Sequence, residues 1–310
     1  MNRLAHSGPK AYLRYMQVSR AQVFLLVEGR DPDPYVYGKI ATKALGDRFA
    51  YQVCRAEELD GGGRGGKQAL LRFFASLDSD NSLGGDFKGK KWFSVFFLDK
   101  DVDDLLGVKR TSMHISYTAF YDIENHIYAA GNLREAVAAS ATIDVNEVPP
   151  QFIDSLGWRR TVAHHWKEWV FLCLLVSRLG VSCGCGYSLK SCINAEPNGP
   201  LTGDPNAYLK AIKNVSGMDA GQFDAVVAWA RAEVEKHYGA DEFDKIFKGK
   251  WYACILHADV IKHLQGKPAN RNALEVRLTP AIAQTLNPDD AWSAAFLTLF
   301  SPLVARYLAA

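Results

Sequence analysis

Short apolar runs punctuate the first 130 residues, and several of them stop at acidic or glycine-rich sequence. Residues 21–27 (AQVFLLV) form one run and end at Glu28-Gly29. Residues 92–98 (WFSVFFL) form the clearest run and end at Asp99-Lys100-Asp101-Val102-Asp103-Asp104. Unbroken apolar runs of this length read as buried strands. Phe49 to Val53 predicts another strand, and Met113 to Ile123 predicts a further strand or pair of short strands ending at Glu124-Asn125. Helical spacing lies between them, in Tyr35 to Leu45 and in Lys67 to Leu77, the latter with Leu70, Leu71, Phe74 and Leu77. Strands alternating with helices predict an α/β fold with a mostly parallel sheet, covered by helices on both faces.

From about Asn132 the pattern changes to long helical periods. Helices are expected over Trp166 to Leu179, Asp204 to Asn214, Ala220 to Tyr238, Lys250 to Leu264 and Asp290 to Leu308. Pro149-Pro150 and the stretch from Cys183 to Pro205 read as loops. The expected organisation is an α/β domain over 1–131 and an α-helical domain over 132–310, with no internal repeat.

Composition narrows the class only slightly. The chain has 310 residues, a net charge of +2, 48% hydrophobic and 23% charged residues, ordinary values for a globular protein. A nucleic-acid binder of this charge must concentrate its basic residues on one face. The longest apolar run, Trp169 to Val176, falls far short of the ~20 residues that span a bilayer, and Met1 to Arg20 has no apolar core of a secretory signal. Six cysteines scattered through the chain fit reduced thiols and a cytoplasmic location.

The candidate chemistry is acidic. In parallel α/β sheets functional groups collect at the carboxyl ends of strands, and here two strands end at Glu28 and Asp99. On an extended chain Asp99 and Asp101 would face the same way. Oxygen ligands of this kind suit Mg²⁺ or Mn²⁺. Against this stands the common use of Asp and Glu beside strands as turn formers and helix caps.

Val27-Glu28-Gly29 after a strand, a glycine-rich segment, and then Leu98-Asp99-Lys100-Asp101 after a later apolar strand together resemble the Toprim domain of topoisomerases, primases and several nucleases. Tyr121-Asp122-Ile123-Glu124-Asn125 resembles a hydrophobic-Glu-Asn signature of a narrower group, the Toprim-like DUF4435 family of bacterial anti-phage systems. The chain is similar there to the effector nuclease of PARIS-type defence, which works with an ABC-type ATPase. The motifs cover residues 20 to 130. One position departs from the pattern: relatives carry an acid four residues after the glutamate, where this chain has Pro32 between Asp31 and Asp33.

The resemblance implies metal-dependent cleavage of phosphodiesters, with RNA, and tRNA within it, favoured over DNA. It implies a toxic effector restrained by a partner ATPase and triggered by release or homodimerisation. Glu28, Asp99 and Asp101 are the expected catalytic and metal-binding residues, with Glu28 as general acid or base and Glu124 as a further ligand. A Glu124 paired with a nearby Lys or Arg is the bland alternative. Arg30, Arg64, Lys67 and Lys100 are the expected phosphate-binding residues, whereas Lys248, Lys250 and Lys262 read as surface charges. The rival reading is a binding or regulatory subunit with a degenerate site that holds a metal-nucleotide or a partner.

Other signals are weaker. The segment from Gly61 to Lys67 has the glycine and lysine spacing of a P-loop, but Gln68 stands where Ser or Thr would bind Mg²⁺. Cys183, Cys185 and Cys192, with His164 and His165, lack zinc-finger spacing. The aromatic residues Tyr35, Tyr37, Trp158, Trp166, Trp169, Trp229 and Trp251 could stack bases in a nucleic-acid groove, although aromatics at helical spacing are more often core, and neither use is assigned to them.

Overall fold

The strands form where apolar residues run without polar interruption. A computed structural model describes residues 8–29, 31–59, 65–188, 199–266 and 268–308. Its sheet contains β1 (Val23–Val27), β2 (Tyr51–Arg55), β3 (Gly84–Phe87), β4 (Lys90–Leu98) and β5 (Ile115–Tyr117). β1 lies between β2 and β4 and is parallel to both. The carboxyl half of β4 takes β5 in parallel, and its amino half takes β3 antiparallel. The sheet is thus mostly parallel, as expected, with one hairpin at its edge. That hairpin turns on Lys88 and Gly89, both at positive φ, the backbone form that two-residue hairpins require.

Compactness divides the chain differently from a single break after residue 131. One unit comprises residues 1–99, 110–119 and 287–310, and the other 100–109 and 120–286. The division passes between Asp99 and Lys100.

In the first unit, both sheet faces are covered, which explains why the strands show no polar alternation. One face, with Phe24 and Leu26 of β1 and Trp92 and Phe96 of β4, packs with Tyr12 and Met16 of the Pro9–Val18 helix and Phe73 and Phe74 of the Lys67–Ser79 helix. On the other face Phe97 stacks on Tyr37 of the Asp33–Leu45 helix at 4.3 Å. The end of the chain closes that face. The single helix expected over Asp290 to Leu308 is instead a 3-10 turn (Ala291–Ser293) and two helices, Ala294–Thr298 and Phe300–Tyr307. Their Phe296 and Phe300 pack on Phe97, and Tyr307 stacks on Phe93.

The second unit is helical. Its centre is the Lys167–Leu179 helix, where all residues from Trp169 to Val176 are buried. The Pro205–Ser216, Ala220–Gly239, Lys250–His263 and Leu274–Thr285 helices belong to it, close to the predicted spans where these were made. Among the described residues no helix is long and apolar enough to cross a membrane.

One expectation is corrected. Only Ile115–Tyr117 of the Met113 to Ile123 segment is strand, and Ile123–Ala130 is a helix. Glu124 and Asn125 therefore stand in the first turn of a helix and not at a strand end. The reason is local: Asp122 accepts the Asn125 amide at 3.1 Å and Asn125 accepts the Asp122 amide at 3.1 Å, a reciprocal capping box.

Candidate functional site

The parallel pairing of β1 and β4 sets Val27 beside Phe97, so Glu28 and Asp99 leave the same end of adjacent strands. The Asp99 amide, past the last ladder bond, needs an acceptor. It donates to Glu28 Oε1 at 2.8 Å. The hydrogen bond joins the two predicted strand-end acids, the part of the sequence reading that the first unit brings together. Asp99 is 5% exposed and Glu28 is half-buried.

The turn after Glu28 is shaped by Asp33. The Gly29 amide donates to Asp33 Oδ2 at 2.8 Å. A Cβ on Gly29 would lie 2.9 Å from Asp33 Oδ1, so a larger residue there would have to displace the Asp33 carboxylate. Of the two acids flanking Pro32, Asp33 is thus buried against the strand-end turn, while Asp31 is exposed. Arg30 lies outside the described residues.

In the second unit, Lys100 is buried and pairs with Asp104 at 3.3 Å. Burial lowers the pKa of its ammonium, and Asp104 opposes that shift. Asp101 has φ +51, a left-handed conformation that Asp tolerates better than most residues. Its amide donates to the Tyr121 carbonyl at 2.6 Å. The alternation that placed Asp99 and Asp101 on one side therefore does not apply, because the chain is no longer extended beyond Leu98.

The Tyr121 to Asn125 motif is anchored differently. Asn125 is fully buried, and its Nδ2 donates to Asp244 Oδ1 at 3.0 Å and to the Phe247 carbonyl at 3.1 Å. Asp244 also accepts from Tyr252 at 2.8 Å and from Arg159, and its carbonyl accepts the Tyr121 amide at 2.8 Å. Burial raises the pKa of the Asp244 carboxyl, and Arg159 opposes the shift. Burial likewise pushes Asp122 up to about 6, against Lys250 and the Asn125 amide. A Cβ on Gly249 would fall 2.2 Å from Asp122 Oδ1 and 2.4 Å from the Asn125 amide. Glu124 is buried with Lys250 Nζ at 3.8 Å, the pairing weighed against its role as a ligand. No local pattern along the chain marks Asp244, Arg159, Tyr252 or Gly249.

Two of the expected phosphate-binding residues, Lys67 and Lys100, are among the described residues. Lys67 is the first residue of the Lys67–Ser79 helix, and Arg64 lies outside the described residues with most of the glycine-rich segment. The Ala56–Leu59 helix separates β2 from that segment, unlike a P-loop, where the loop follows its strand directly. Lys248 donates to the Tyr187 carbonyl at 2.7 Å. Lys262 lines a cavity of about 640 Å³ with Trp158, Trp166 and Asp259. Cys192 lies outside the described residues, and His164 and His165 are exposed. Trp158, Trp166, Trp169, Trp251 and Tyr37 are core, whereas Trp229 is half-buried and Tyr35 is exposed.

In the first unit Glu28 and Asp99 offer hard carboxylate oxygens, the donor type that Mg²⁺ and Mn²⁺ prefer. Among the described residues no group of three or more His, Cys, Asp or Glu is assembled to hold a metal ion. Mg²⁺ sites commonly use only one or two carboxylates and complete the shell with water and substrate phosphate, so the donor set fits such an ion without a cage. No protein-family model matches the chain, and no curated protein matches it.

Proposed function

We propose that this chain is a Mg²⁺- or Mn²⁺-dependent phosphodiesterase of the Toprim type. In this reading it is a nuclease that cleaves RNA, with tRNA as one such substrate. It acts as a toxic effector in anti-phage defence under the control of a partner ABC-type ATPase. The observation that supports the reading most directly is the hydrogen bond from the Asp99 amide to Glu28 Oε1. It joins two acids at the carboxyl ends of neighbouring parallel strands, where α/β sheets hold their ligands.

Glu28 and Asp99 would hold the ion, which when bound would supply polarisation of a phosphoryl oxygen and a more acidic water. The residues of the chain supply the rest. The Asp99 amide orients the Glu28 carboxylate, which accepts the proton of the attacking water. Asp33 fixes the Gly29 turn behind it. Lys67 and Arg30 are the cations assigned to substrate phosphate.

The test is incubation of purified protein with total RNA and with DNA, in Mg²⁺ and in excess chelator, alongside Glu28→Gln. RNA fragments that require Mg²⁺ and disappear in the variant support the proposal. RNA left intact by the wild type, free of its ATPase and in Mg²⁺ or Mn²⁺, leaves the non-catalytic binding subunit as the reading.

A further inference from the structure

The turn after the Lys167–Leu179 helix carries chemistry that the proposed site does not use. Cys183 Sγ and Cys185 Sγ are 3.4 Å apart, within a thiol–thiol hydrogen bond. The chain bends at Cys183-Gly184, which draws the two residues together. Cys183 is half-buried and reachable, whereas Cys185 is 3% exposed. Burial and then the hydrogen bond to Cys183 push the Cys185 thiol up to about 12. Buried Cys173 lies alongside and is held protonated by burial.

The flank of the pair is fixed. Tyr187, two residues beyond Cys185, donates to the Ile246 carbonyl at 2.6 Å and stacks on Trp251 at 5.7 Å. Its carbonyl accepts from Lys248 at 2.7 Å. The sulfurs are therefore held in contact by the fold. A structural zinc ion needs four ligands, and among the described residues no third His, Cys, Asp or Glu joins the two thiols in a metal-holding group.

We propose that Cys183 and Cys185 are a dithiol that a hydroperoxide oxidises to a reversible intrachain disulfide. The Cys183 thiolate attacks one peroxide oxygen, the O–O bond breaks, and Cys183 becomes a sulfenic acid as the other oxygen leaves as water or alcohol. Cys185 Sγ then attacks the Cys183 sulfur. The S–O bond breaks, the Cys185 proton joins the departing hydroxide as water, and the S–S bond forms. Two thiols and one hydrogen peroxide give one disulfide and two waters. A small dithiol reverses the step by exchange.

Residues 179–190 form a single tryptic peptide, bounded by Arg178 and Lys190, that holds both thiols and no other cysteine. The folded full-length chain is treated with hydrogen peroxide, alkylated under denaturing conditions, digested and weighed. The expected product is this peptide lighter by two hydrogens and unalkylated, returning to the doubly alkylated form after dithiothreitol. It is absent from Cys183→Ser and from Cys185→Ser. The proposal is overturned if both thiols of the wild type remain alkylatable. It is equally overturned if Cys183 accumulates oxygen adducts without ring closure, or pairs with a cysteine of another peptide.

Discussion

Two acidic regions, the ends of β1 and β4 and the first turn of the Ile123–Ala130 helix, use their polar groups in different ways. At the strand ends, Glu28 receives one backbone amide from Asp99, and Asp33 receives another from Gly29. Asp33 serves the turn that follows β1, while the Asp99 amide orients the Glu28 carboxylate. In the helix turn, Asp122 and Asn125 bind each other, and Asn125 continues into Asp244, Arg159, Tyr252 and the Phe247 carbonyl. Those groups are buried and bonded to one another, which makes the network a determinant of structure. Two stretches that look alike as acidic motifs thus differ in kind: one accepts backbone amides at the carboxyl ends of neighbouring strands, the other is locked into a core.

The comparison breaks most sharply at Asp244. Replacing it with Ala leaves Arg159 buried without its carboxylate and removes one of the two acceptors of the Asn125 amide. The expected loss is about 3–5 kcal/mol of unfolding free energy, measured by urea denaturation. A loss below about 1 kcal/mol would show that the network does not hold the unit together. Gly249→Ala probes the same network from outside, since its methyl would overlap Asp122 and the Asn125 amide. About 3 kcal/mol is expected, at the upper end of overpacking costs.

At the strand ends the effects are smaller. Gly29→Ala drives a methyl against Asp33 and should cost about 1–3 kcal/mol. Asp33→Ala in the same chain should recover part of that loss, because it removes the group that the methyl meets. No recovery would place the strain elsewhere. The smallest effect concerns His114, buried at the sheet edge with Nδ1 2.7 Å from the Ser94 carbonyl and Nε2 3.2 Å from the Tyr307 hydroxyl. Burial holds its pKa below the ordinary 6.5. The neutral form is favoured in the fold, so its contribution is complete above 6.5 and is lost as pH falls toward the folded-state value. Wild-type protein should lose stability relative to His114→Gln as the pH drops below 6.5, read from thermal melts. Parallel curves would remove His114 from the account.

Much of this contrast was legible in the sequence. The runs 21–27 and 92–98 are apolar throughout because both sheet faces are covered, and their acidic ends marked Glu28 and Asp99. Helical spacing revealed the Asp33–Leu45 and Lys67–Ser79 helices. β3 was not legible, because Gly84-Gly85-Asp86-Phe87 has no apolar run and is a strand only through its hairpin with β4. The direction of Asp101 was not legible either, since alternation says nothing once the backbone turns left-handed. Asn125 stood out as a motif residue, but its partner Asp244 is 119 positions away, and no local pattern announces it. The helix beginning at Ile123 was hidden by an apolar segment that read equally well as strand.

The central claim is that Glu28 belongs to reaction chemistry and not to the frame of the sheet. Glu28→Gln tests it in one sample, because the amide keeps an oxygen to accept the Asp99 amide. The account predicts a change in unfolding free energy below about 1 kcal/mol together with a fall of about 100-fold or more in Mg²⁺-dependent RNA cleavage. Cleavage undiminished in the variant would contradict it.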